Sequence, residues 1–139
     1  MLFTIHADGG SRGNPGPSGA GAIIRDEKGL TIAVVSKYLG TQTNNFAEYE
    51  AVISAFDELL SRIPARERKS TRVVVKMDSQ LVVKQMRGEY KVKHPNIKPQ
   101  HARLRENVAQ FGEVVFVHVF REENGDADAL ANEAMDRAA

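Results

Sequence analysis

The sequence predicts an α/β fold, and three observations carry the prediction. Runs of five to nine residues rich in Val, Ile, Leu and Phe stand at Leu2–Ala7, Ala20–Arg25, Leu30–Tyr38, Val73–Met77 and Val114–Phe120, the length and chemistry of strands. Between and after the later runs, apolar residues recur with the i, i+3, i+4, i+7 spacing of amphipathic helices. Two of the runs stop at an aspartate, Asp8 and Asp78, and open α/β sheets bind ligands beyond the carboxyl ends of their strands.

Leu2–Ala7 is the first strand, ending at Asp8. The stretch after it contains Gly9, Gly10, Gly13, Asn14, Pro15, Gly16 and Pro17, a density of turn formers that predicts a tight loop with exposed backbone N–H groups. It fits neither G-x-x-x-x-G-K-[ST] nor G-x-G-x-x-G. Ala20–Arg25 and Leu30–Tyr38 flank Asp26-Glu-Lys-Gly29, a hairpin that completes a three-stranded antiparallel meander.

Thr41–Asn45 carries helix-starting chemistry, and Phe46–Ser61 places Tyr49, Val52, Ile53, Phe56, Leu59 and Leu60 on an apolar stripe. At about 100° per residue, Glu48 falls within about 40° of Val52, Ala55 and Leu59, whereas Glu50 points toward water. An inward carboxylate needs a compensating ion or hydrogen bonds; a capping box, Asn45-x-x-Glu48, is the alternative. Pro64–Ser70 is expected to be a charged linker. Val73–Met77 is nearly all apolar, as for a strand buried on both faces, and Asp78 after it is either a ligand or the N-cap of the short helix Ser79–Met86. Gly88–Pro99 is irregular and basic. Ile97, His101, Leu104, Val108 and Phe111 space out a further helix, with His101 on its buried edge. After Val114–Phe120 and the polar Arg121–Gly125, the last helix runs from about Ala127. Asp128 lies near its buried side, and Asp126 is placed as its cap.

A chain of 139 residues holds one domain with a real core, so residues 1–139 are expected to form a single unit. With 42% hydrophobic and 27% charged residues it is not a disordered chain. No apolar run reaches membrane-spanning length and no signal peptide precedes the first strand, so a cytoplasmic protein without membrane contact is expected. The absence of cysteine excludes disulfides and thiolate metal sites. Net charge is +1, unevenly spread: Lys84–Arg105 holds seven Lys or Arg against Glu89 alone, leaving the rest of the chain acidic. That pattern suits a polyanion bound at one place, or equally a solvated helical face.

Asp8, Glu48, Asp78 and Asp128 come from two strand ends and two helix starts. Four like charges at one site would raise one another's pKa values unless cations sat among them. All-oxygen ligands point to Mg²⁺ or Mn²⁺, and two such ions are the usual device for in-line attack of water on a phosphodiester.

These residues lie in four ordered motifs, Asp8-Gly-Gly-Ser-Arg-Gly-Asn-Pro-Gly16, Thr43-Asn-Asn-Phe-Ala-Glu-Tyr49, Met77-Asp-Ser-Gln80 and Asn124-Gly-Asp-Ala-Asp-Ala-Leu-Ala131. Together they resemble the type 1 ribonucleases H along essentially the whole chain, closest to the archaeal-type members. The resemblance implies a ribonuclease H-like fold, a central five-stranded mixed sheet of an antiparallel meander plus two parallel strands flanked by helices. It implies an endonuclease that cuts the RNA strand of RNA/DNA hybrids, leaving 5′-phosphate and 3′-hydroxyl ends, with two Mg²⁺ ions, replaceable by Mn²⁺, on Asp8, Glu48, Asp78 and Asp128. No organic cofactor is implied, and a monomer is expected.

By the same resemblance Asn14, Asn44 and Gln80 read the minor groove, the backbone of Gly9, Gly10, Ser11, Arg12 and Gly13 approaches the RNA, and Thr43 and Asn14 contact phosphate of the DNA strand. A side chain at Gly9 is then expected to impair hybrid binding before folding. Arg121 stands where the best-known bacterial pattern has a catalytic-loop histidine; it can stabilise charge but cannot act as a base. The usual tryptophan-bearing basic protrusion is shortened, leaving Lys91 and Lys93, with Lys98 beyond them, for modest, salt-sensitive hybrid binding. The competing expectations are a non-catalytic hybrid-binding module on the same fold and a nuclease that also cuts double-stranded RNA.

Overall fold

The computed structural model describes residues 1–139 and holds one five-stranded mixed sheet in the order β3-β2-β1-β4-β5. β1 (Leu2–Ser11), β2 (Gly16–Asp26) and β3 (Thr31–Gln42) form the antiparallel meander, while β4 (Arg72–Met77) runs parallel to β1 and β5 (Glu113–His118) parallel to β4. This is the sheet the sequence predicts. The β1–β4 register pairs Ala7 with Met77, so the next residues, Asp8 within β1 and Asp78 just past the end of β4, come side by side.

The helices are α1 (Asn44–Arg62), α2 (Ala65–Arg68), α3 (Gln80–Met86), α4 (Lys98–Ala109) and α5 (Gly125–Ala138), with a 3-10 turn at Arg121–Asn124 before the last. α1 packs on β1 and β2, burying Tyr49, Val52, Ile53, Phe56 and Leu59 against Ile5, Ile24, Val73 and Val75. Burying each large apolar side chain contributes roughly 1.5–3 kcal/mol, so this interface is the main source of cohesion. α5 packs across β2, β3 and β1. No helix is long and apolar enough to cross a membrane.

The glycine-rich stretch is mostly strand. β1 continues through Gly9–Ser11 and β2 starts at Gly16, so the turn shrinks to Arg12–Pro15. The physical reason is the helices. A Cβ on Gly9 would collide with the backbone of Ala47 and Glu48 in α1, and a Cβ on Gly21, the partner of Asp8 across β2, would collide with Ala127 and Ala131 in α5. Adjacent residues of a strand face opposite sides. Bare backbone therefore brings α1 close on one face at Gly9 and α5 close on the other at Gly21.

Other expectations are corrected by packing. Pro64–Ser70 contains α2, pinned by the Arg68 guanidinium donating to the carbonyls of Leu60 and Ile63 at 3.0 and 3.1 Å. Glu50 does not face water: its side chain is 13% exposed and accepts from Gln100 Nε2 at 3.1 Å, because α4 covers that side of α1. In β4 only alternate residues are fully buried, since α5 packs mainly across β2, β3 and β1. Asp126 does not cap α5; Asn124 holds the N-cap position, and Asp126 pairs instead with Arg25 at 3.0 Å.

Candidate active site

All four predicted carboxylates line a single cavity of ≈ 440 Å³, together with Gly9, Gly10, Ser11, Arg12, Asn44, Arg121, Ala131, Asn132 and Met135. Each arrives on a different element. Asp8 stands within β1, three residues before its end, on the face covered by α5; Glu48 sits in the first turns of α1; Asp78 follows β4; Asp128 lies in the first turn of α5. The two alternative capping roles are filled by other residues. Thr43 Oγ1 accepts from the Phe46 N–H at 3.2 Å and caps α1, and Ser79 Oγ accepts from the Val82 N–H at 3.3 Å and caps α3. Glu48 and Asp78 are thus free of helix-end duty, and Glu48 Oε2 is buried with no hydrogen-bond partner.

The electrostatics record the crowding. Asp8 is pushed up to about 9, first by burial, then by a hydrogen bond with Asp128, then by the charges of Asp78, Asp128 and Glu48. Glu48 is pushed up to about 7 by burial and by Asp78, opposed by a hydrogen bond from Ser79. Arg121 is the one cation paired with a member of the cluster, its Nε 3.8 Å from Asp78 Oδ2 on a side chain that is 83% exposed; Arg12 also borders the cavity but pairs with Asp136. Asn124 is 1% exposed and turns its amide inward, donating to the Ala7 carbonyl at 2.8 Å and reaching Asp78 Oδ1 at 3.5 Å.

No three of the acidic side chains stand in metal-holding geometry. The donor set nonetheless fits hard divalent cations: oxygen ligands only, a buried carboxylate oxygen without a partner, and raised pKa values that positive charge would relieve.

A second, larger hollow of ≈ 1070 Å³ adjoins this cavity, and Asn44 and Glu48 line both, so the first turn of α1 is the ridge between them. Asn14, Thr43, Asn44, Gln80 and Leu81 line it, together with the loop residues His94, Pro95 and Asn96. Asn44 Oδ1 accepts from the Ser11 N–H at 2.8 Å, and Asn14 Oδ1 accepts from the Asn44 N–H at 3.0 Å. Both amides are therefore fixed with their NH₂ donors turned away from these bonds. Gly13 takes φ +84° in the turn, and Ser11 Oγ donates to the Gln42 carbonyl at 2.9 Å, which ties the turn to the end of β3. Lys91 and Lys93 are exposed and line neither hollow.

Three participants are not evident from the sequence pattern. Ser79 and Asn132 hydrogen-bond to Glu48 and Asp128, and the His94–Asn96 loop walls the larger hollow. For Asn132 a signal exists: it stands four residues after Asp128 and so one helical turn away.

A family model described as "Reverse transcriptase-like" matches residues 6–134. The chain is 43% identical over 140 residues to the Bifunctional protein Rv2228c of Mycobacterium tuberculosis, covering 100% of this chain but only 37% of that protein. It is 38% identical over 136 residues to the Ribonuclease HI of Halobacterium salinarum, covering 96% of this chain and 65% of that one. Among solved structures, LC11-RNase H1 in complex with RNA/DNA hybrid superimposes with a TM-score of 0.89 at 45% identity, covering 98% of each chain.

Proposed function

The chain belongs to the type 1 ribonuclease H family of endoribonucleases, and from that premise we propose that it hydrolyses the RNA strand of RNA/DNA hybrids at the four-carboxylate cavity, leaving 5′-phosphate and 3′-hydroxyl ends. The observation that carries the reading is the convergence of Asp8, Glu48, Asp78 and Asp128, from four separate elements, on one cavity, with Arg121 alone paired to one of them. The resemblance to a structure described as bound to RNA/DNA hybrid supports the substrate class.

In this reading Asp8, Glu48, Asp78 and Asp128 would hold two Mg²⁺ ions, with Mn²⁺ able to replace them. Bound there, the ions would supply activation of the attacking water and neutralisation of charge on the leaving oxygen. The protein's own groups do the rest. Ser79 orients Glu48 and Asn124 orients Asp78. Arg121, permanently charged, draws the scissile phosphate toward Asp78 and stabilises charge as it departs, and it takes no proton. The amides of Asn14 and Asn44, locked by their carbonyl oxygens, present donors to acceptor edges and sugar oxygens in the minor groove. Gln80 lies on the same side of the ridge and reads the minor groove with them, and Thr43, with Asn14, contacts phosphate of the strand that is not cut.

The test is digestion of labelled RNA/DNA hybrid, double-stranded RNA and double-stranded DNA side by side in Mg²⁺. The expected result is cleavage of the hybrid's RNA strand by the native chain and none by Asp78→Asn, with the variant still folded and still binding hybrid. Undiminished cleavage by Asp78→Asn would refute the site. Binding of hybrid with no cleavage in Mg²⁺ or Mn²⁺ would replace the enzyme with a binding module.

A further inference from the structure

Asp128 lies beside Asp8 and is held by its own helix: Asn132, one turn along α5, donates from Nδ2 to Asp128 Oδ2 at 3.3 Å and to the Asp128 carbonyl at 3.1 Å. The other end of that amide is also fixed. Arg12 Nη2, from the turn between β1 and β2, lies 3.5 Å from both Asn132 Oδ1 and the Asn132 carbonyl, and it is anchored at 2.7 Å on Asp136 Oδ1. Arginine can only donate, so the Asn132 oxygen must face Arg12 and its NH₂ must face Asp128. Arg12 and Asn132 both border the carboxylate cavity. Asn is a poorer helix former than Ala, Glu or Lys at a mid-helix position, so helix propensity does not explain it.

We propose that Asn132 is a positioning residue for Asp128, kept in its donating orientation by Arg12, so that the turn carrying Arg12 and the carboxylate carried by α5 are set together. Without Arg12 the Asn132 oxygen loses the donor that faces it, so the side chain is free to swing to another rotamer and leave the Asp128 carboxylate without its partner. The alternative role is local: an asparagine that bonds back to the carbonyl one turn earlier and does nothing for the carboxylate. The inference rests on the reading of the four carboxylates as metal ligands.

The experiment is calorimetric titration of Mg²⁺, and separately Mn²⁺, into the substrate-free full chain, with thermal unfolding of each variant in parallel. Asn132→Ala is expected to weaken ion binding about tenfold, the scale seen when a partner of a metal ligand is removed, with little change in unfolding temperature. Arg12→Met is expected to weaken it about threefold, and the double variant to bind no worse than Asn132→Ala alone, because the two act through one amide. Mere loss of a cation near the site would tighten binding, so the sign for Arg12→Met separates positioning from simple electrostatics. Ion affinity within about twofold of the native chain in Asn132→Ala, or tighter binding by Arg12→Met, would overturn the proposal. Absence of ion binding by the native chain would overturn the metal reading and this inference with it.

Discussion

At the scale of single residues, the cavity stores its cost in Asp8. The carboxyl is 7% exposed, and burial and three acidic neighbours lift its pKa from 3.8 to about 9. The unfolded chain releases that proton near pH 4, while the folded, metal-free chain holds it until about pH 9. Across that window the folded state binds more protons, so this group's contribution to stability falls as pH rises. Asn at the same place cannot titrate and can still donate to Asp128. Asp8→Asn is therefore expected to stabilise the metal-free protein, by at least about 1 kcal/mol more at about pH 8 than at about pH 5, while destroying activity. Urea unfolding at the two pH values checks this; an equal effect at both would show that Asp8 is not held protonated. The same linkage makes ion binding release protons, since the ligands must be ionised to bind.

At the scale of elements, what the sequence reveals and what it hides have separate physical causes. Asp78 just past the end of β4 and the inward faces of Glu48 and Asp128 are legible because the strand and helix periods fix directions locally, whereas Asp8, expected at a strand end, stands inside β1 because the glycines after it extend the strand. Glu50 is misplaced by the pattern because one apolar stripe says nothing about a second helix, α4, laid against the opposite flank. The glycines mislead because a bare backbone serves a turn and a close crossing equally well, and only the tertiary contact tells them apart. That difference changes the expected phenotype at Gly9. A side chain there meets the backbone of Ala47 and Glu48, the part of α1 that carries a proposed ligand. Gly9→Val is expected to destabilise the fold by about 3 kcal/mol, as overpacking against a rigid backbone does, and to displace Glu48. Hybrid affinity of the fraction still folded should fall less than stability. A variant that unfolds like the native chain but no longer binds hybrid would return Gly9 to the substrate surface.

For the whole molecule, the sheet order places two hollows on either side of one helix end, and the loop that walls the larger of them belongs to the basic segment. The free charge of that segment is smaller than its composition suggests. Arg103 pairs with Asp57 at 2.7 Å, Arg87 lies 3.8 Å from Glu89 and donates to the Phe116 carbonyl, and Lys84 sits 4.9 Å from the centre of the Tyr90 ring. Lys91 and Lys93 remain exposed, on the same loop as His94, Pro95 and Asn96. They can follow a strand lying in the larger hollow without touching the carboxylates. Each lysine withdrawn from a duplex phosphate lowers the slope of log affinity against log salt by roughly 1. The variant Lys91→Ala/Lys93→Ala is therefore expected to bind hybrid several-fold more weakly at low salt, with a salt slope shallower by about 2 and kcat at saturating hybrid unchanged. Fluorescence anisotropy across a salt series, paired with initial rates, measures all three. An unchanged slope would place the lysines off the nucleic-acid path, and a loss confined to kcat would tie them to the carboxylate cavity instead.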